Sequence, residues 1–337
     1  MKGLLKYLSP FAPDQSGAAA VFYDMNCVIV ICDAGGCTGN ICGFDEPRWY
    51  GRKSPIFSAG LRDMDAILGR DDKLLEKLKL ILEKSDSEMA VLIGTPVPAV
   101  IGQDLKALKK MASKRVGSPV LAVECTGTKL YDEGASAAYL EICSFYAEKQ
   151  KLKGEQEDSV GILGCLPLEM PFAHAEESVR KAFGTEYKNS YVFGNFKETQ
   201  KIVSGCVMKN IVVSPAGLGA ARYLKEKYGT PYEIKCPLPE ICLPSDLKNK
   251  KVLIVHQQVI CAELKKIIPT ADTASFFMID DEICEETAKI EKEDELCEIV
   301  NRNGYDVIIA DPMLKRPLKD FDGEWIELKH PAISGCF

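Results

Sequence analysis

The fold is decided by residues 27–49, which read Cys-Val-Ile-Val-Ile-Cys-Asp-Ala-Gly-Gly-Cys-Thr-Gly-Asn-Ile-Cys-Gly-Phe-Asp-Glu-Pro-Arg-Trp. The first six residues are apolar and largely β-branched, which predicts a short buried strand. The strand runs into a turn that contains Gly35, Gly36 and Gly39, where the missing Cβ lets backbone approach a bulky partner closely. Because α/β proteins place their chemistry at the carboxyl ends of buried strands, this turn is a candidate site.

Two thiols lie in this turn, Cys37 and Cys42. Thiolates at such a position suit a soft metal, above all an iron–sulfur cluster. The local sequence is equally compatible with two small apolar residues in a glycine-rich loop. Cys125 follows a second predicted strand and is a third candidate metal ligand, with a buried core thiol as the alternative.

Composition narrows the class of protein. A chain of 337 residues can hold two or three domains, and 46% hydrophobic with 27% charged residues is ordinary for a globular protein. The net charge of −7 is spread out and no basic stripe suggests nucleic-acid binding. The densest acidic stretch, Asp280–Glu298, carries spaced apolar residues and is predicted to be the solvated face of a helix.

The sequence shows no membrane-length apolar run and no signal peptide, so we expect a cytoplasmic protein that does not bind membranes. In that reducing compartment the fourteen cysteines are not expected to form a disulfide framework. No Cys-x-x-Cys pair occurs, which argues against zinc ribbons and thioredoxin-like redox chemistry.

The rest of the chain alternates between strand and helix patterns, which is typical of parallel, doubly wound sheets. Further strands are predicted at residues 90–94, 119–124, 160–163, 210–214, 251–256, 274–279 and 306–310, and helices at 73–84, 135–149, 218–228 and 261–268. The stretches Lys149–Asp158 and Pro237–Asn249 are predicted linkers. They divide the chain into three α/β units at 1–150, 151–245 and 246–337, with the last residues returning toward the first unit.

Several segments resemble the nitrogenase component 1 superfamily, including short relatives such as protochlorophyllide reductase and nickel-sirohydrochlorin reductive cyclase. Asp33–Trp49 is similar to the family's Gly-Pro-x-Gly-Cys segment, with Cys37 at the cluster cysteine. Further similar segments follow in the family's order: 58–69, 94–105, 210–232, 306–315 and 329–335.

The resemblance implies three Rossmann-like doubly wound units and an oxidoreductase subunit. It also implies a [4Fe-4S] cluster shared at a subunit interface, with Gly35, Gly36 and Cys37 as cofactor-binding residues. The partners implied are an identical or paralogous component 1 chain, an ATP-hydrolysing iron protein and a bulky small-molecule ligand. The chain itself has no Gly-x-x-x-x-Gly-Lys-Ser/Thr phosphate loop, so ATP hydrolysis is assigned to the partner.

The sequence departs from the family pattern at three cysteines. The first cluster cysteine falls near Phe11–Ser16, the third matches Pro96, and the cysteine of the nitrogenase catalytic cofactor falls near Val213 or Ser214. Because of these departures, we do not expect this chain to belong to a dinitrogen-reducing enzyme. They also keep open an alternative, in which the chain is a non-catalytic scaffold or carrier for a metallocofactor or small molecule.

Two histidines are candidate catalytic residues. His256 ends a predicted strand and His330 lies in the family-like terminal segment. Each is a possible ligand contact or proton donor, and each is also compatible with a satisfied structural role.

Overall fold

The strands form three separate, wholly parallel sheets in the computed structural model, which describes residues 5–62, 71–147, 156–172 and 174–335. The first sheet has the order β2-β1-β3-β4 and contains β1 Cys27–Ile31, β2 Ile56–Ser58, β3 Met89–Ile93 and β4 Val120–Val123. The second has the order β6-β5-β7-β8 and contains β5 Gln156–Leu163, β6 Asn189–Val192, β7 Val207–Val212 and β8 Tyr232–Ile234.

The third sheet has the order β11-β10-β9-β12-β13. Its strands are β9 Val252–Val255, β10 Asp272–Ser275, β11 Thr287–Lys289, β12 Val307–Ala310 and β13 Glu324–Glu327. In each sheet the first strand is central and later strands add on both sides, which is the doubly wound arrangement. The predicted fold class is therefore confirmed.

Helices connect the strands, because parallel neighbours require crossover connections. Those of the first unit are α1 Asp14–Phe22, α2 Gly36–Asn40, α3 Asp71–Lys84, α4 Pro96–Ile101, α5 Leu105–Val116 and α6 Tyr131–Ala147. The remaining helices are α7 Ala175–Phe183, α8 Phe196–Val203, α9 Leu218–Tyr228, α10 Gln258–Ile267, α11 Glu293–Asn303 and α12 Pro331–Ser334. No helix within the described ranges is long and apolar enough to cross a membrane.

Part of the sequence interpretation lies outside the described residues. This applies to residues 63–69 of the family-like segment 58–69 and to residues 149–155 of the first linker. The last three residues of that predicted linker, 156–158, belong to β5 instead. The three unit boundaries stay a prediction.

The acidic stretch Asp280–Glu298 is not one helix, and that prediction is wrong. Residues 280–286 are turns, β11 follows, and α11 begins only at Glu293. The reason is tertiary: the buried side-chain amide of Gln258 donates to the carbonyls of Asp280 and Cys284 at 3.1 and 2.9 Å, and its oxygen accepts from Asp280 N at 2.7 Å. A side chain from α10 thus satisfies the backbone groups that a helix would have paired.

The closest contact in the first unit is between α1 and α6, where two glycines face backbone. A Cβ on Gly17 would lie 1.7 Å from the Tyr131 carbonyl oxygen, and one on Gly134 would lie 1.8 Å from the Asp14 carbonyl oxygen. Only glycine permits this backbone-to-backbone approach, so both positions depend on the missing side chain.

The N-terminal segment packs on the third unit. The backbone N–H groups of Lys6, Tyr7 and Leu8 donate to the carboxylate of Glu293, at 2.9, 3.0 and 2.7 Å. Phe11 packs its ring against Phe276, with the centroids 5.4 Å apart. Because these contacts join residues almost three hundred positions apart, they tie the first unit to the last.

Candidate functional site

The turn after β1 is open on its outer side. Gly35 adopts a left-handed conformation with φ of +117°, and Gly36 begins α2. A Cβ built on Gly35, Gly36 or Gly39 would meet no atom of the described residues within 4 Å, apart from its own chain neighbours and the local helix backbone. The glycines therefore leave the backbone accessible from outside, where another molecule could approach it.

A buried aspartate fixes the shape of this turn. One carboxylate oxygen of Asp33 accepts from the backbone N and hydroxyl of Thr38, at 2.8 and 3.0 Å, and the other accepts from Ser58 Oγ at 2.6 Å. These bonds join the start of α2 to the end of β2. Cys37 lies between Asp33 and Thr38 in the sequence. Its position is therefore fixed by the hydrogen bonds that join these two residues.

Cys37 is half-buried in the first turn of α2. Burial raises the pKa of its thiol, and the charge of Asp33 raises it further, while the Thr95 hydroxyl acts in the opposite direction. The thiol is therefore a neutral group in the free chain. A bound metal ion would itself supply the positive charge that removes the proton.

Cys42 is also partly exposed and lies in a short π-helical segment, Ile41–Asp45, directly after α2. Burial raises the pKa of its thiol, although Lys53 lowers it. Cys125, in contrast, is only 3% exposed and packs within the core of the first unit. Its burial supports the core role over the ligand role.

Within the described part of the chain, no three histidine, cysteine, aspartate or glutamate side chains form a group that could hold a metal ion. Cys37, Cys42 and Cys125 thus do not complete a site by themselves. Cys37 and Cys42 are partly exposed in two consecutive helical segments after β1, whereas Cys125 belongs to a buried cluster.

Exposed apolar side chains occur in the segment after α2 and in α4, whose N-cap residue Thr95 interacts with the Cys37 thiol. Phe44 and Tyr50, in the segment after α2, are 81% and 74% exposed, and Val100 and Ile101 of α4 are 85% and 41% exposed. We call these four residues together with Cys37 the Cys37 face. Large apolar side chains grouped on a surface are typical of a protein contact.

A cleft of about 630 Å³ separates the first and second units. One wall contains Pro47, Arg48 and Arg52, and the other contains Pro167, Phe172, His174 and Glu176. Domain interfaces are a common location for ligand pockets.

The guanidinium of Arg48, at the edge of this cleft, is hydrogen-bonded to groups of this chain. It donates to both Glu46 carboxylate oxygens at 2.7 Å, to Asp24 Oδ2 at 3.2 Å and to the Ala20 carbonyl at 2.7 Å. Arg48 therefore joins the segment after the glycine turn to α1. This role of Arg48 was not predicted from the sequence, although Glu46-Pro-Arg48 directly after the turn is a visible signal.

His256 and His330 lie together, deep in the third unit. Their ring centroids are 4.3 Å apart, and Phe277 stacks on His330 at 4.5 Å. His256 Nε2 lies 3.0 Å from the Lys329 carbonyl oxygen, whereas neither ring nitrogen of His330 has a partner among the described residues. Burial lowers the pKa of His256 to about 4 and that of His330 well below 6.5.

Both imidazoles are therefore neutral at neutral pH. The unfolded chain binds protons at these residues below pH 6.5, whereas the folded chain does not. Their contribution to stability is thus present at neutral pH and is lost as the pH falls below 6.5.

The His330→Phe variant should be stabilised by about 1 kcal/mol, because the change removes a buried polar ring without breaking a hydrogen bond. His256→Phe should instead lose about 1–2 kcal/mol, since it leaves the Lys329 carbonyl unpaired. Chemical denaturation at pH 7 measures both. A destabilised His330→Phe with normal secondary structure would show that His330 has a partner, such as a bound ligand.

Comparison with known proteins places the chain in a family. The sequence model of the family described as nitrogenase component 1 type oxidoreductase matches residues 14–239, which is more than half of the chain. The nitrogenase iron-molybdenum cofactor biosynthesis protein NifE of Klebsiella pneumoniae is 24% identical over 187 residues, or 52% of this chain and 41% of that protein. NifE of Bradyrhizobium diazoefficiens is 32% identical over 71 residues, 21% of this chain and 13% of that protein.

The matches thus cover less than half of the length of these curated relatives. Among solved structures, nitrogenase Cp1 at pH 6.5 has a TM-score of 0.65 at 12% identity, with 98% of this chain and 88% of that chain covered. Nitrogenase Cp1 at pH 5 has a TM-score of 0.64 at 14% identity, with 98% and 85% covered. These structures show the same fold, and together with the family match they establish that the chain belongs to the nitrogenase component 1 type oxidoreductases.

Proposed function

We propose that this chain is the electron-accepting subunit of a nitrogenase-like reductase, in which Cys37 helps to bind an iron–sulfur cluster shared with a second component 1 chain. The observation that carries the proposal is the position of Cys37. It is a half-buried thiol in an open glycine turn, on a face with exposed apolar side chains, and the described residues do not give it a complete ligand set.

The residues present fit half of such a cluster site. A cubane cluster takes four thiolate ligands. Cys37 and Cys42 are the two partly exposed thiols in this turn, and Cys125 is the remaining candidate. A partner chain, identical or paralogous, would supply the other ligands across the Cys37 face, since a two-fold contact brings the same patch of each chain together.

A bound cluster would supply single-electron transfer at low potential. The residues of this chain hold the turn in place: the Asp33 carboxylate fixes the start of α2, and the Arg48 guanidinium fixes the segment that follows. The apolar side chains of the Cys37 face would exclude water from the contact. A polar solvent would otherwise weaken the electrostatic control over the site.

The cleft between the first and second units is the proposed ligand site. Its volume of about 630 Å³ is sufficient for a bulky small molecule. Phe172 and Pro47 provide apolar contact, while His174 and Glu176 provide polar groups at the opening. Because Arg48 is committed to Glu46 and Asp24, the cleft does not present that guanidinium as a free anion site.

The proposal is tested by anaerobic reconstitution with the iron protein encoded nearest to this chain, ATP and dithionite. We expect the chain, alone or with a paralogous chain, to stimulate ATP hydrolysis by the iron protein. Val100→Glu places a charge on the Cys37 face and should abolish the stimulation. Ile267→Glu places a charge on an exposed apolar residue of α10, 50% exposed, and should not. Unstimulated hydrolysis with every chain combination would exclude the electron-accepting role.

The second candidate function is a scaffold or carrier for a metallocofactor. It is favoured by the two NifE relatives, whose names describe cofactor biosynthesis. A carrier would bind metal and transfer it to an acceptor protein without stimulating ATP hydrolysis. Retention of iron in the anaerobically purified chain, without any stimulation, would support this function.

A further inference from the structure

Glu169 is a completely buried glutamate whose two carboxylate oxygens have no hydrogen-bond partner among the described residues. It lies in the second unit, shortly after β5. An ionised carboxylate in that position would have no donor to replace its water, at a cost of several kcal/mol. The carboxyl group therefore favours its neutral, protonated form.

Asp132, at the start of α6 in the first unit, is an acid whose negative charge raises the pKa of Glu169. Asp132 is also fully buried, but its carboxylate accepts from the backbone N of Glu133 at 3.0 Å and from the backbone N of Met278. These two donors stabilise the ionised form of Asp132. Of the two acids, Asp132 is thus the one that favours the ionised form, and Glu169 is the one that favours the protonated form.

The two acids lie where all three units meet. Met278, which donates to Asp132, belongs to the third unit, and Leu168, next to Glu169, accepts at its carbonyl from Ala332 N at 3.2 Å. We propose that Glu169 holds one proton at the junction of the three units and that loss of this proton weakens the junction. The proposal concerns a proton-binding site and does not depend on the proposed function.

The other charged and titratable groups near the pair do not neutralise Glu169. The charge of Glu133 raises the pKa of Asp132, and the charge of Lys289 lowers it. Lys289 Nζ donates to the carbonyls of Phe276 and Phe277, at 3.0 and 2.6 Å. Tyr131, also buried, lies in the field of Glu169, Glu46 and Arg48 and has no hydroxyl partner among the described residues. Tyr139 is buried as well, and it raises the pKa of Tyr131.

The direction of the pH dependence follows from these contacts. Burial and the charge of Asp132 raise the pKa of Glu169 well above its ordinary value of 4.5, and burial raises the pKa of Asp132 to about 6. The stability that comes from the bound proton is fully present below pH 4.5, where the unfolded chain is protonated too. It is lost as the pH rises toward the raised pKa of Glu169.

The test compares the full-length chain with Glu169→Gln, which resembles the protonated acid in shape and charge. Between pH 4.5 and the raised pKa, the ratio of the two folding equilibrium constants should change about tenfold per pH unit, in favour of the variant as the pH rises. Infrared spectroscopy at neutral pH should show the carbonyl band of a protonated carboxylic acid in the wild type. The band should be missing in Glu169→Gln.

Glu263→Gln is the matched control, because Glu263 has a partner in Lys266, 2.8 Å away. It should keep the infrared band and the pH slope of the wild type. Should Glu169→Gln fail to fold, Asp132→Asn provides the second variant: it keeps Glu169, so the band should persist. Absence of the band in the wild type, or equal pH slopes for wild type and Glu169→Gln, would overturn the proposal.

Discussion

The Cys37→Ser variant, expressed and purified anaerobically, should lose at least about tenfold in iron content. Loss of even an outer contact of a metal ligand typically costs about 10–100-fold in affinity, and Cys37 is proposed to be a ligand itself. A serine hydroxyl keeps the size of the thiol but is not ionised at neutral pH and is a poor ligand for iron–sulfur iron. Iron analysis and the visible spectrum measure the change.

Cys297→Ser is the control for this variant. Cys297 is also a partly exposed thiol on a helix, and its Sγ lies 3.3 Å from the Pro317 carbonyl oxygen. It is remote in sequence from the glycine turn, so its replacement should leave the iron content unchanged. Equal iron content in both variants would contradict the assignment of Cys37, and a loss in Cys42→Ser would identify the next ligand.

The Gly134→Ala variant should be destabilised by about 3 kcal/mol or more, at the upper end of the usual range for overpacking. The added methyl group would lie 1.8 Å from the Asp14 carbonyl oxygen. Both partners are helix backbone, which cannot rotate away as a side chain can. Relief thus requires α1 and α6 to separate, although these two helices form the centre of the first unit.

Gly219→Ala is the matched control, since Gly219 is also a helical glycine that faces α6. The three atoms nearest to a Cβ there are side-chain atoms of Ser136 and Leu140, at 3.5 Å or more. Helix propensity should then stabilise this variant by up to about 1 kcal/mol. Denaturant titration followed by circular dichroism compares the two. A Gly134→Ala variant as stable as the wild type would show that α1 and α6 can move apart freely.

The sequence predicted most central strands of each sheet and missed most edge strands. The predicted strand at 274–279 overlaps β10 only at residues 274–275, and its other four residues are not in a strand. The predicted strand at residues 251–256 corresponds to β9, whose four residues are all buried between helical layers. The missed strands β2, β6, β8, β11 and β13 all lie at sheet edges and have three or four mostly unburied residues each. An edge strand is stabilised by its neighbour's backbone, which leaves little apolar pattern in its own sequence.

The candidate site was predictable only as far as it is local. The glycine turn with Cys37 was visible because strand, turn and thiol follow one another directly. The unusual state of Glu169 was not, because its burial without a hydrogen-bond partner depends on how the units pack, and no spacing in the chain indicates that packing. The stacking of His256 on His330 was equally hidden, since it joins the end of a strand to the C-terminal segment.

The clamp between Lys6–Leu8 and Glu293 also sets an order of events during protein synthesis. The Glu293 carboxylate follows Leu8 by 285 positions, so it is made long after the segment that it binds. At about 5–20 residues per second, a ribosome needs on the order of 15–60 seconds for that distance. During this interval the first unit can form its sheet, although Lys6–Leu8 cannot yet bind the Glu293 carboxylate. The clamp therefore cannot close before synthesis has reached Glu293.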